Sequence, residues 1–111
     1  MKYVIELSTP FKREFKRLLK KYRSLDSDLE RLAEELRAKP DMGVDLGNGV
    51  RKVRMAITAK GKGKSHGARV ITFTAVVSEL EGVITMLTTY DKADKDSVSD
   101  KEISELISGL L

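Results

Sequence analysis

The chain has no cysteine among its 111 residues, which excludes disulfides and thiolate zinc sites. It has one histidine, His66, which excludes a multi-histidine metal centre. No apolar run is long enough to span a bilayer, and the opening MKYVIELS lacks the hydrophobic stretch of a signal peptide. These absences make a cytoplasmic protein with no metal, no cofactor and no membrane partner the expectation. A hydrophobic fraction of 41% is too high for a disordered chain, and the length suits one α+β domain over residues 1–111.

A local absence is more informative. Residues 51–69, RKVRMAITAKGKGKSHGAR, contain no carboxylate. They carry Arg51, Lys52, Arg54, Lys60, Lys62, Lys64 and Arg69. The net charge is only +4, but this block is a concentrated positive field that raises the local concentration of a polyanion. Nucleic acid, held through its phosphates, is the simplest partner. After Ser78 eight acids face three bases, so the two ends of the chain differ in sign.

Hydrophobic spacing sets the expected elements. Residues 3–7 are apolar and β-branched and read as a strand. Ser8-Thr9-Pro10 signals a helix start, with Thr9 as the cap and Pro10 at the first position. Phe11, Phe15, Leu18, Leu19 and Tyr22 then form an apolar stripe opposite Lys12, Arg13, Lys16, Arg17, Lys20 and Lys21. Ser27 and Glu30 match a capping box for a second helix, which ends before Pro40. Residues 41–49 read as a loop.

Three strands follow, over residues 50–58, 69–77 and 83–90. Val53, Met55 and Ile57 lie on one face of the first, with Lys52 and Arg54 on the other. Residues 60–67 form a glycine- and lysine-rich connector. Ser99 and Glu102 cap a last helix with a seam of Ile103, Leu106, Ile107 and Leu110, and Val98 staples onto Ile103. The expected order is β-α-α-β-β-β-α, an antiparallel sheet with helices packed on one face.

The string GKGKS invites a P-loop reading, which fails. A P-loop requires glycine five residues before Gly63, where this chain has Thr58, and a helix after it, where a strand begins at Arg69.

This order of elements, together with RKVR, GKGKSHGARVI and a strand ending TTYDK, resembles the RelE/HigB-like toxins of type II toxin–antitoxin modules. The resemblance implies the RelE-like α+β fold. It also implies a toxin that cleaves mRNA on the ribosome without a metal ion, contacts ribosomal RNA, and is neutralised by a cognate antitoxin. A mostly acidic antitoxin segment would suit the basic surface. A related branch shares the fold but poisons DNA gyrase, so fold alone does not fix activity. A plain RNA- or DNA-binding module is a further alternative.

Cleavage by the 2′-OH requires a base, charge stabilisation at phosphorus, and an acid for the 5′-oxygen. Arg69 is the first candidate to stabilise the phosphorane, because its planar fork matches phosphate oxygens. Arg54 and Lys52 share a strand face and suit neighbouring phosphates. Tyr90 and Lys92 share a face near the end of the last strand, where Tyr90 would stack on a base or move a proton. Lys64, surrounded in sequence by six cations, is a candidate base. Arg51, Lys60, Lys62 and Lys92 complete the expected RNA-binding set. His66 is suited to proton transfer near neutrality. It stands where many relatives carry glycine, however, so the resemblance assigns it no role and a solvated loop residue is the preferred reading.

Each candidate has a plainer explanation. The loop lysines suit a solubilising hairpin tip, and Lys52 and Arg54 the wet face of an amphipathic strand. Tyr90 suits a core edge with its hydroxyl in water. The basic face of the first helix is more often simply solvated than an RNA site.

Overall fold

The computed structural model describes residues 1–110, and Leu111 lies outside the described residues. Ten elements run in order. They are β1 (Lys2–Leu7), α1 (Thr9–Lys21), α2 (Leu25–Ala38), β2 (Val44–Gly47), β3 (Val50–Met55), two 3₁₀ turns (Thr58–Lys60 and Lys64–His66), β4 (Ala68–Val76), β5 (Glu81–Asp91) and α3 (Asp100–Ser108). The five strands form one sheet in the order β1-β5-β4-β3-β2. Neighbours are antiparallel except β1 and β5, which run parallel because α1 and α2 carry the chain away from β1 before β5 returns beside it.

Strand alternation divides the core. One sheet face presents Val53, Met55, Val70, Ile84 and Met86 to Phe11 and Leu18 of α1 and to Leu25, Leu32 and Leu36 of α2. Phe11 and Phe15 stack at 5.7 Å, as the helical stripe predicts. The other face presents Val50, Ile71, Leu87 and Tyr90 to Ile103 of α3. The helices therefore cover both faces, not one. The last helix carries its own apolar seam, and that seam satisfies the face α1 and α2 leave bare. Leu110, read as part of the seam, lies beyond the end of α3 and is exposed.

Three local expectations change. The α1 cap is Ser8, whose hydroxyl oxygen accepts from the Phe11 N–H while its O–H donates to the Leu87 carbonyl at 2.9 Å. The second helix starts at Leu25, so Ser27 lies inside it and its capping box does not form. The expected loop over residues 41–49 contains β2, which joins β3 through a hairpin where Asn48 and its flanking glycines take positive φ. At α3 the capping box forms as predicted, with Ser99 and Glu102 bonding reciprocally. Among the described residues no helix is long and apolar enough to cross a membrane.

Candidate nucleic-acid interface

Sheet register brings three predicted residues into one row. Arg54 on β3 pairs with Arg69 on β4, and Arg69 pairs with Tyr90 on β5. Residues opposite one another in a sheet share a face, here the face of α3. Lys52 lies on that face two residues back along β3. The row does not present three free groups. Arg54 is exposed, but Arg69 is 6% exposed and Tyr90 7%.

The Arg69 fork is already engaged. Nη1 donates to the carbonyls of Lys64 at 3.3 Å and Ala68 at 3.2 Å, and Nη2 donates to that of Ser65 at 3.2 Å. Arg69, predicted as the phosphorane-stabilising group, thus holds the basic loop from beneath. Tyr90 lies under Lys95, whose ammonium is 5.9 Å from the ring centroid. Burial pushes the Tyr90 hydroxyl above the usual tyrosine range, and Asp96 and Glu102 add to this against the Arg69 charge. The phenol stays protonated at neutral pH and is a poor base there.

The loop itself is pinned at several points. Gly61, at φ 68°, ends the first 3₁₀ turn in a conformation that favours glycine. At Gly67 an added Cβ would lie 2.1 Å from the Met55 carbonyl oxygen, so only glycine lets the loop end pass β3 this closely. Asp28 of α2 accepts from both the N–H (3.0 Å) and the hydroxyl of Thr58. The Ala59 N–H donates to the Ser24 hydroxyl at 3.0 Å. Lys64 donates to Glu35 of α2 at 2.7 Å, so its ammonium is held by a carboxylate of the helix. Arg51 turns away from the loop, donating to the Asp41 carbonyl at 2.7 Å, with Asp45 at 3.8 Å.

Lys60, predicted to bind RNA, has protein partners. Its ammonium lies 2.6 Å from Asp91 and 2.9 Å from the His66 carbonyl. Asp91 is 1% exposed and also accepts from the Tyr22 hydroxyl at 2.7 Å and the Ala93 N–H at 2.9 Å. Burial alone would raise the Asp91 carboxyl. The bonds from Lys60, Ala93 and Tyr22, with the Lys60 charge, outweigh burial and hold it below the usual carboxylate range. A depressed carboxyl stabilises the fold above its unfolded titration, about pH 3.9, and that contribution is lost as pH falls through the folded value. Below pH 4 the Asp91→Asn variant is therefore expected to lose stability less steeply than the parent, measured by urea denaturation at stepped pH. Parallel loss in both would remove this assignment.

Above this network lies an open cleft of about 510 Å³. It is lined by Tyr22, Lys60, Lys62, His66, Lys92 and Ala93. Lys62 and His66 are exposed, one His66 ring nitrogen is 3.1 Å from the Ser65 hydroxyl, and Lys92 is 3.3 Å from Asp96. The predicted set is thus split. Lys62, His66 and Lys92 converge on the cleft with Lys60 at its wall. Lys52, Arg54, Arg69 and Tyr90 lie along the α3 face. Lys64 joins Lys52 and Arg54 in a second opening of about 330 Å³ beside Met42 and Val44. Tyr22, Asp28 and Asp91 were not among the predicted site residues. Asp91 had a signal: a carboxylate directly after the uncharged run of residues 83–90 and before the lysine of TTYDK.

A family model for the RelE toxin of the RelE/RelB toxin–antitoxin system matches residues 10–108. The chain belongs to the RelE toxin family. The fold agrees. A free-state double arginine-to-alanine mutant of the E. coli toxin RelE matches with a TM-score of 0.60 at 15% identity, over 100% of both chains. No curated protein matches the sequence. As a RelE-family toxin the chain is the toxin half of a toxin–antitoxin pair, and an antitoxin partner follows in general terms.

Proposed function

We propose that this RelE-family toxin is an endoribonuclease that cuts mRNA on the ribosome without a metal ion, with its reaction centre in the cleft at the end of the sheet. The convergence of an imidazole and three lysines on one open cleft carries this reading. The His66 imidazole takes the 2′-OH proton, the 2′-oxygen attacks phosphorus, and the bond from phosphorus to the 5′-oxygen breaks. The Lys92 ammonium returns a proton to the 5′-oxygen. Lys62 and Lys92 offset the charge that develops on the phosphorane. Arg54 and Lys52 hold neighbouring phosphates along the α3 face. Arg69 and Lys60 shape the loop, and Tyr90 forms a wall beneath Lys95.

One observation keeps a binding module as the second reading. Lys60 and Lys64 are paired with carboxylates and are not free to act on a reacting phosphate. Primer extension on an mRNA translated in a cell-free system separates the two. The expected result is codon-phased cuts, present only during translation, with 2′,3′-cyclic phosphate or 3′-phosphate ends. Cuts with 3′-hydroxyl ends overturn the mechanism. Intact mRNA with tight, salt-sensitive RNA binding leaves the binding module, and inhibited supercoiling by gyrase points to the gyrase-poison branch.

A further inference from the structure

The basic loop is exposed from residue 61 to residue 66, yet it is tied down by charges buried beneath it. Asp91 differs from the other anchors in how far its influence reaches. Its carboxylate lies at the end of β5, and both of its oxygens are occupied. One accepts from Tyr22, and the other accepts from Lys60 and the Ala93 N–H. Lys60 is the bridge. The same ammonium that meets Asp91 also donates to the carbonyl of His66. The side chain of Lys60 is 15% exposed, so its charge needs a counter-charge to remain where it is. Next to this bridge the Lys92 N–H donates to the Gly67 carbonyl at 3.0 Å, so the chain after Asp91 holds the loop a second time.

We propose that Asp91 is a positioning residue for the cleft: through Lys60 it fixes the His66 peptide and so aims the imidazole at the bound phosphodiester. This inference rests on the nuclease reading of the cleft. Asp91 touches no substrate in this arrangement. Its role is to keep Lys60 inside, and Lys60 in turn holds the backbone from which His66 projects. Asn at position 91 preserves shape, and its one oxygen can accept from the Ala93 N–H while its NH2 donates to the Tyr22 hydroxyl, but it provides no negative charge. Lys60 then gains more from water than from the interior, and its bond to the His66 carbonyl is released.

Two readouts test this in the full chain. The first is hydrogen–deuterium exchange of the amides of residues 61–67 in the parent, Asp91→Asn, Lys60→Met and Lys60→Arg. The second is cleavage on programmed ribosomes, with kcat and KM determined separately. Asp91→Asn and Lys60→Met are expected to exchange at least about tenfold faster in the loop, with β4 and β5 unchanged. Their kcat is expected to fall about 10- to 100-fold with KM within about twofold, the signature of a misplaced group rather than lost binding. Lys60→Arg, which keeps the charge, is expected to restore most of both. Unchanged loop exchange in Asp91→Asn and Lys60→Met overturns the proposal. So does a rise in KM at constant kcat, which would make the pair a binding element. If the parent leaves mRNA intact, the nuclease reading fails and the positioning role fails with it, while faster exchange in the variants would still establish the tether.

Discussion

Replacing His66 with alanine is expected to lower mRNA cleavage on translating ribosomes by about 10²- to 10⁴-fold, the usual contribution of a positioned general base. The imidazole lines the cleft with lysines that are better suited to hold phosphate than to accept a proton at neutral pH. Because the side chain is exposed, its removal is expected to change folding stability by no more than about 0.5 kcal/mol. The loss should therefore appear in single-turnover cleavage at saturating ribosomes, with ribosome binding and the thermal midpoint unchanged. The resemblance gives His66→Gly particular value, because glycine is the commoner residue there. A glycine variant as impaired as the alanine variant would mean that this chain has moved its proton transfer onto the loop. A loss of less than tenfold in both would make His66 a solvated loop residue and overturn its role as the base.

That prediction depends on geometry the sequence does not carry. The positive block over residues 51–69 is visible from composition alone, because a run without a carboxylate needs no fold to be seen. Which of its cations are free is not visible. Lys60 finds Asp91 31 positions away, Lys64 finds Glu35 29 away, and Thr58 finds Asp28 30 away. Local spacing contains no trace of such pairs. The same limit explains the start of α2. The pattern of Ser27 and Glu30 meets the local rule for a cap, but Leu25 is buried and is drawn into the helix by the core. Ser24 also bonds to Ala59 of the distant loop.

The strand β2 has a different cause. It is a four-residue edge strand with every residue exposed, so it has no buried face to impose alternation. Its sequence signal was the Asn48-Gly49 turn. By contrast, the α1 stripe, the α3 capping box and the alternation of β3 were legible because each is fixed by neighbours within four residues. The face that α3 covers was not legible. An apolar seam shows that a helix must be buried, not against which side of a sheet.

Arg69→Ala is expected to cost at least about 2 kcal/mol of folding stability, because three bonds from one buried charged donor are lost together. For a domain of this size that corresponds to a fall in the thermal midpoint of roughly 10 °C. Arg69→Lys is expected to recover little of it, since a single ammonium does not reproduce a planar fork aimed at the Lys64, Ser65 and Ala68 carbonyls. A loss of mRNA cleavage in Arg69→Ala thus has two possible origins, and stability separates them. If Arg69 shapes the loop, activity and the midpoint fall together, and loop amides exchange faster at temperatures where the rest of the sheet is still protected. If Arg69 acts on the reacting phosphate, cleavage disappears while urea denaturation gives the parent midpoint. The burial of the guanidinium and its three carbonyl partners predict the first outcome. Thermal and urea denaturation of the variant, measured before any cleavage assay, therefore decide whether an inactive Arg69→Ala says anything about chemistry.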